Sequence, residues 1–147
     1  MKVADILTKK GTRILTVRLG ETVEVAAQLL RRENVGALVV KDVCRTEGNV
    51  VLGMFSERDI VRALVDLGPA ALRTPVSALM SRNVITCAPG DPVEHVLELV
   101  ETHHIRHLPV LENDTLIGVI SVRDLVTSRL DEIGRTGEDG VRNRQTA

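Results

Sequence analysis

The chain has 147 residues, 44% of them hydrophobic, with 19 basic against 20 acidic side chains and Phe55 as its one aromatic. That length suits one compact module with its own core, while a net charge of -1 and the lack of aromatic stacking platforms exclude general nucleic-acid binding. No apolar run approaches the length a bilayer requires, and Met1–Lys10 lacks the apolar segment and cleavage site of a secretory signal, so no membrane association and a cytoplasmic location are expected.

After the opening segment Val3-Ala-Asp-Ile-Leu7, the run Ile14-Leu-Thr-Val17 predicts a first strand. Glu21 and Glu24 then mark a helix start, and Val23, Ala26, Ala27 and Leu30 follow with the i, i+3, i+4, i+7 spacing of one buried stripe. Ala37-Leu-Val-Val40 and Val50-Val-Leu-Gly-Met-Phe55 predict a hairpin around a long polar turn at 41–49, leading into a helix that opens at Ser56. Gly68-Pro69 breaks that helix, and Pro75 closes a linker over 68–75.

The same order then recurs. Val76-Ser-Ala-Leu-Met80 parallels Val3–Leu7, and Val84-Ile-Thr-Cys87 parallels the first strand. Asp91-Pro92 with Glu94 marks a helix start, and Val93, Val96, Leu97 and Val100 form its stripe. Leu108–Leu111 and Leu116–Ile120 make a hairpin about the short turn 112–115, and a helix opens at Ser121. Beyond Ile133 the chain holds three glycines and almost nothing apolar, so residues 134–147 are expected to form a disordered tail.

Three blocks align between the halves: Ile14–Val17 with Val84–Cys87, Asn34–Val40 with His104–Val110, and Gly53–Asp59 with Gly118–Asp124. Each copy is too short to bury its own apolar face, so the two should pack together. The expected fold is α+β: two β-α-β-β-α repeats, residues 1–67 and 76–133, about a pseudo-two-fold axis, with one small sheet per repeat.

The strongest local signal is Ser56-Glu-Arg-Asp59 and its echo Ser121-Val-Arg-Asp124, each where a strand hands over to a helix. One such box is a helix cap, with Ser accepting from a free N–H and the acid reaching back. A helix start is also a seat for phosphate, Arg58 and Arg123 add guanidinium groups, and a carboxylate can accept from ribose hydroxyls. Two such boxes suit a nucleotide better than caps alone. His95, His103 and His107 have a spacing that a continuous helix could turn toward a metal, but the helix should end near His104, so no metal site is expected. Cys44 and Cys87 belong to no Cys-x-x-Cys pair, which argues against a disulfide scaffold or a zinc thiolate site.

Taken together, these blocks resemble the cystathionine-β-synthase (CBS) domain, which occurs as tandem pairs called Bateman modules; the resemblance spans residues 3 to 130. It implies a regulatory module that binds an adenine nucleotide such as AMP, ATP, NAD or S-adenosylmethionine between its repeats. By the same resemblance, one cleft would join Ser121, Arg123 and Asp124 to Thr16, Val17, Gly36, Ala37 and Leu38. The other would join Ser56, Arg58 and Asp59 to Thr86, Cys87, Arg106, His107, Leu108 and Pro109. The Asp would take the ribose hydroxyls, backbone groups near Ala37 and His107 the adenine edge, and Arg106 and His107 the phosphates. Copy one has Val-Gly-Ala where copy two has Ile-Arg-His, so unequal affinities are expected.

No Walker loop, Gly-x-Ser-x-Gly or dinucleotide glycine motif is present, so no catalysis is expected. The leading expectation is a free-standing regulatory sensor that forms a homodimer and acts on a separate target protein. The alternative is a ligand-independent dimerisation or interaction module whose clefts are vestigial.

Overall fold

The computed structural model describes residues 1–11, 13–41 and 51–145, residues 135–145 as backbone alone. The first repeat contains α1 (Val3–Lys10), β1 (Thr16–Arg18), α2 (Val23–Glu33), β2 (Ala37–Lys41), β3 (Val51–Ser56) and α3 (Glu57–Leu67). Short 3₁₀ segments at Gly68–Arg73 and Val76–Ala78 lead to α4 (Val93–His103), β4 (His107–Glu112), β5 (Thr115–Ser121) and α5 (Val122–Gln145). The mixed fold, with one small sheet per repeat, is the expected one. Most of the long polar turn, Cys44 included, lies outside the described residues. Residues 134–145, within the stretch 134–147 expected to be a disordered tail, continue α5 as helical backbone. Among the described residues no helix is long and apolar enough to cross a membrane.

In the first sheet β1 runs parallel to β2, and β2 antiparallel to β3. In the second, β4 pairs with β5, and the expected strand at 84–87 shrinks to a single bridge. There the Cys87 N–H donates to Pro109 O (3.1 Å) and the Cys87 carbonyl accepts from Leu111 N (2.9 Å). That bridge, Cys87 to Val110, is the repeat mate of the Val17–Val40 pair in the first sheet.

Each repeat lends its opening segment to the other. Val3, Ile6 and Leu7 of α1 are buried with Val93, Val96, Leu108, Val110, Ile120 and Leu125 of the second repeat. Val76 and Met80 are buried with Val23, Leu30, Leu38 and Phe55 of the first. The backbone repeats the exchange. Val3 N donates to Asp91 O (3.0 Å) and Val93 N to Met1 O (3.1 Å); symmetrically, Val76 N donates to Glu21 O (2.8 Å) and Val23 N to Thr74 O (2.9 Å). The first N–H of α2 and of α4 is thereby satisfied by the exchanged segment instead of by a side chain alone. Asp91 does not cap α4 as its position suggested. Pro92 is the cap residue, and the Asp91 carboxylate instead accepts from Ala88 N at 2.8 Å.

Candidate functional site

Ser56 and Ser121 end β3 and β5, and α3 and α5 begin one residue later, so both helix starts lie at the same end of their sheets. Each Asp reaches back to its cap. Asp59 Oδ2 accepts from Ser56 N (2.9 Å) and Ser56 Oγ (3.2 Å). Asp124 Oδ2 accepts from Ser121 N (2.8 Å), while Asp124 N donates to Ser121 Oγ (3.1 Å). Each corner is tied to the other strand of its hairpin: Glu57 N donates to Gly36 O (3.1 Å) and Val122 N to Arg106 O (2.9 Å).

Two clefts open at these corners. The larger, about 1080 Å³, brings Ser121, Arg123 and Asp124 of the second repeat against Gly36, Ala37, Arg58, Arg106 and His107. The smaller, about 220 Å³, brings Ser56, Arg58 and Asp59 of the first repeat against Arg106 and His107. Gly36, Ala37, Arg106 and His107 line both, so the clefts meet at the pseudo-axis. The contact there is tight, since a Cβ on Gly36 would lie 3.2 Å from His107 Nε2. A residue without a side chain lets the imidazole lie against the backbone.

The remaining residues expected at the site stand elsewhere. Val17, Leu38, Cys87 and Leu108 are core side chains, Pro109 is buried beside them, and Thr16 and Thr86 are exposed away from both walls. The apolar walls come instead from residues slightly earlier in each run: Leu15 and Val35 in the larger cleft, Val84 and Ile85 in the smaller, and Ile105 in both. Leu15 with Ile85, and Val35 with Ile105, are repeat mates, a signal the alignment of the two copies already carried. Lys10 was not anticipated, because only the exchange of α1 brings it to the second repeat. Its Nζ donates to Asp124 Oδ2 (2.6 Å) and to Val119 O (2.7 Å).

Electrostatics divide the clefts. Burial pushes the Asp124 carboxyl upward, but the hydrogen bonds from the Lys10 ammonium and from Ser121 outweigh it and hold the group below the ordinary carboxylate range. Burial, with the charges of Lys10 and Arg106, pushes the His107 imidazole below its ordinary value against the pull of Asp124, so the ring is neutral at neutral pH. Burial and the nearby Asp91 push the Cys87 thiol up to about 12, which leaves it without thiolate character near pH 7. Among the described residues no group of three His, Cys, Asp or Glu side chains could hold a metal ion. His103 ends α4 while His104 turns into the left-handed region (φ 53°) and His107 starts β4, so the three histidines near 103–107 diverge.

A model of the CBS domain matches residues 3–66 and 76–131. Among solved structures, the CBS-domain containing protein ATU1752 from Agrobacterium tumefaciens is 37% identical, with a TM-score of 0.83 over 88% of this chain and 99% of that one. The CBS domain pair of MJ0100, solved with 5′-methylthioadenosine and S-adenosyl-L-methionine, is 26% identical, with a TM-score of 0.74 over 90% and 96%. PAE2072 from Pyrobaculum aerophilum, complexed with AMP, is 27% identical, with a TM-score of 0.73 over 84% and 89%. With both repeats matched in sequence and the pair superposing as a whole, this chain belongs to the CBS-domain family and carries two copies of the domain.

Proposed function

We propose that the chain is a regulatory sensor that binds an adenine nucleotide in the clefts between its two CBS repeats and signals by changing what a partner protein meets. The observation that carries this reading is the doubled corner: two Ser-x-x-Asp helix starts, each opening on a cleft that also holds basic side chains from the other repeat. The positive ends of the α3 and α5 dipoles and the guanidinium groups suit phosphate, carboxylates suit sugar hydroxyls, and the aliphatic walls can cover a base without aromatic stacking. The relatives solved with AMP and with S-adenosyl-L-methionine support the ligand class. We read the module as a homodimer formed through α3 and α5, whose outer faces carry exposed Val61, Val65, Val126 and Leu130.

Thermal shift and calorimetry with AMP, ADP, ATP, NAD, NADH and S-adenosylmethionine test this, on the wild type and on Asp59→Asn and Asp124→Asn. A ligand at a hundredfold excess over its Kd stabilises the fold by about 2.7 kcal/mol, and about 2–4 °C of melting shift accompanies each kcal/mol in a chain of this size. A rise of roughly 5–10 °C is expected with at least one nucleotide, reduced in the variant whose cleft holds it. If no nucleotide shifts the melting point, or both variants bind as the wild type does, the reading fails.

A further inference from the structure

The two clefts are built from repeat mates, yet the structure gives their carboxylates different company. Asp59 is bonded to its own cap, and among the described residues no cation pairs with it. Asp124 makes the same cap and in addition holds the Lys10 ammonium at 2.6 Å. The asymmetry comes from the exchanged segments. Leu7 and Met80 are mates, so the position matching Lys10 three residues on is Asn83, a neutral amide in the wall of the smaller cleft. Lys10 is fixed by a second bond, to Val119 O, and is only about one-third exposed (33%).

This pairing changes what the larger cleft can accept. Lys10 and Ser121 N both bond Asp124 Oδ2, so a ribose whose two hydroxyls engage both carboxylate oxygens must displace Lys10 from Oδ2. A ligand without charge that displaces Lys10 leaves the ammonium only its bond to Val119 O and gives it no new acceptor, which costs part of the charge-assisted bond. A ligand with a phosphate chain offers the ammonium a new partner within the same cleft, so carboxylate and ammonium both stay satisfied. The surroundings fit a chain of phosphates: Lys10, Arg13, Arg58, Arg106 and Arg123 line this cleft against the carboxylates Glu57 and Asp124. The smaller cleft balances Arg58, Arg62 and Arg106 against Glu57 and Asp59, in about a fifth of the space.

Building on the adenine-nucleotide reading, we propose that Lys10 sets the ligand class of the larger cleft, reserving Asp124 for nucleoside di- or triphosphates over uncharged nucleosides. Lys10 is thus a specificity residue that trades Asp124 for phosphate when the ligand enters.

The test is calorimetry with ATP, ADP and 5′-methylthioadenosine as the uncharged probe, on the wild type, Lys10→Met and Lys10→Arg, each shown by thermal unfolding to be folded. The wild type should prefer ATP to 5′-methylthioadenosine by tenfold or more. Lys10→Met should shrink that ratio at least tenfold, by weakening ATP and strengthening the uncharged probe together, and Lys10→Arg should preserve it. A ratio that Lys10→Met leaves within twofold of wild type, or a wild type that prefers the uncharged probe, overturns the assignment of Lys10 while leaving the nucleotide reading intact. A wild type that binds none of the three overturns the assignment of Lys10, and overturns the nucleotide reading as well when AMP, NAD, NADH and S-adenosylmethionine also fail to bind.

Discussion

Gly53 and Gly118 occupy matching places in β3 and β5, and each has no room for a side chain, but for different reasons. A Cβ at Gly118 would lie 2.7 Å from Leu7 Cδ2, the far end of a side chain that can rotate away. A Cβ at Gly53 would lie 2.7 Å from Met80 Sδ and 2.7 Å from the Ser81 carbonyl oxygen. That carbonyl is held by Met54 N at 3.0 Å, and Ser81 N is held by Met54 O at 2.9 Å, so this piece of backbone cannot yield without breaking a bridge. Gly53→Ala should therefore destabilise by about 1–3 kcal/mol, the usual cost of overpacking, and Gly118→Ala by clearly less; urea denaturation of both variants compares them, and equal losses would refute the distinction. At this scale the sequence was informative where chemistry repeats and misleading where geometry decides. Ser56, Asp59, Ser121 and Asp124 announced their corners through capping spacing. The family resemblance places Val17, Leu38, Cys87 and Leu108 at the clefts; their side chains are buried in the core, and Leu15, Ile85 and their neighbours line the cleft walls.

The helices and strands were legible because each has its own period and punctuation, as α2 and α4 show with their matching buried stripes. The exchange of opening segments was not. Internal similarity says that Val3–Leu7 matches Val76–Met80, but it is silent about which copy each packs upon, since both sheets offer the same kind of apolar face. Lys10 follows from that exchange: without α1 crossing to the second repeat, no lysine would reach Asp124. A consequence can be measured. Ile6 is 2% exposed and lies among second-repeat residues, so Ile6→Ala should cost about 2–5 kcal/mol. Its local effect should appear as faster amide hydrogen exchange in β4 and β5 before β1 and β2. Loosening of the first sheet ahead of the second would mean that α1 supports its own repeat.

For the whole molecule, pseudo-symmetry does more than duplicate a corner. It also duplicates an exposed surface, because α3 and α5 are repeat mates and their outward positions carry the same kind of residue: Val61 matches Val126, and Val65 matches Leu130. Val65 is 79% exposed and Leu130 62%, with Ile133 at 61% further along α5. Scattered single exposures would need no account, but apolar residues one turn apart on both of two equivalent helices make a strip that a second copy can cover with the same residues, which is the requirement of an isologous interface. The clefts open at the helix starts while these strips run along the helices and touch the larger cleft at Val126, so a ligand that shifts the helix starts would also shift the surface proposed for dimerisation. The wild type should therefore sediment at twice the 16.0 kDa of one chain, and the paired change Val65→Asp with Leu130→Asp should yield a monomer with unaltered far-ultraviolet circular dichroism, because neither side chain contributes to a core. A wild type that remains monomeric at tens of micromolar protein, with or without nucleotide, would remove the dimer from this account and leave the clefts to signal within a single chain.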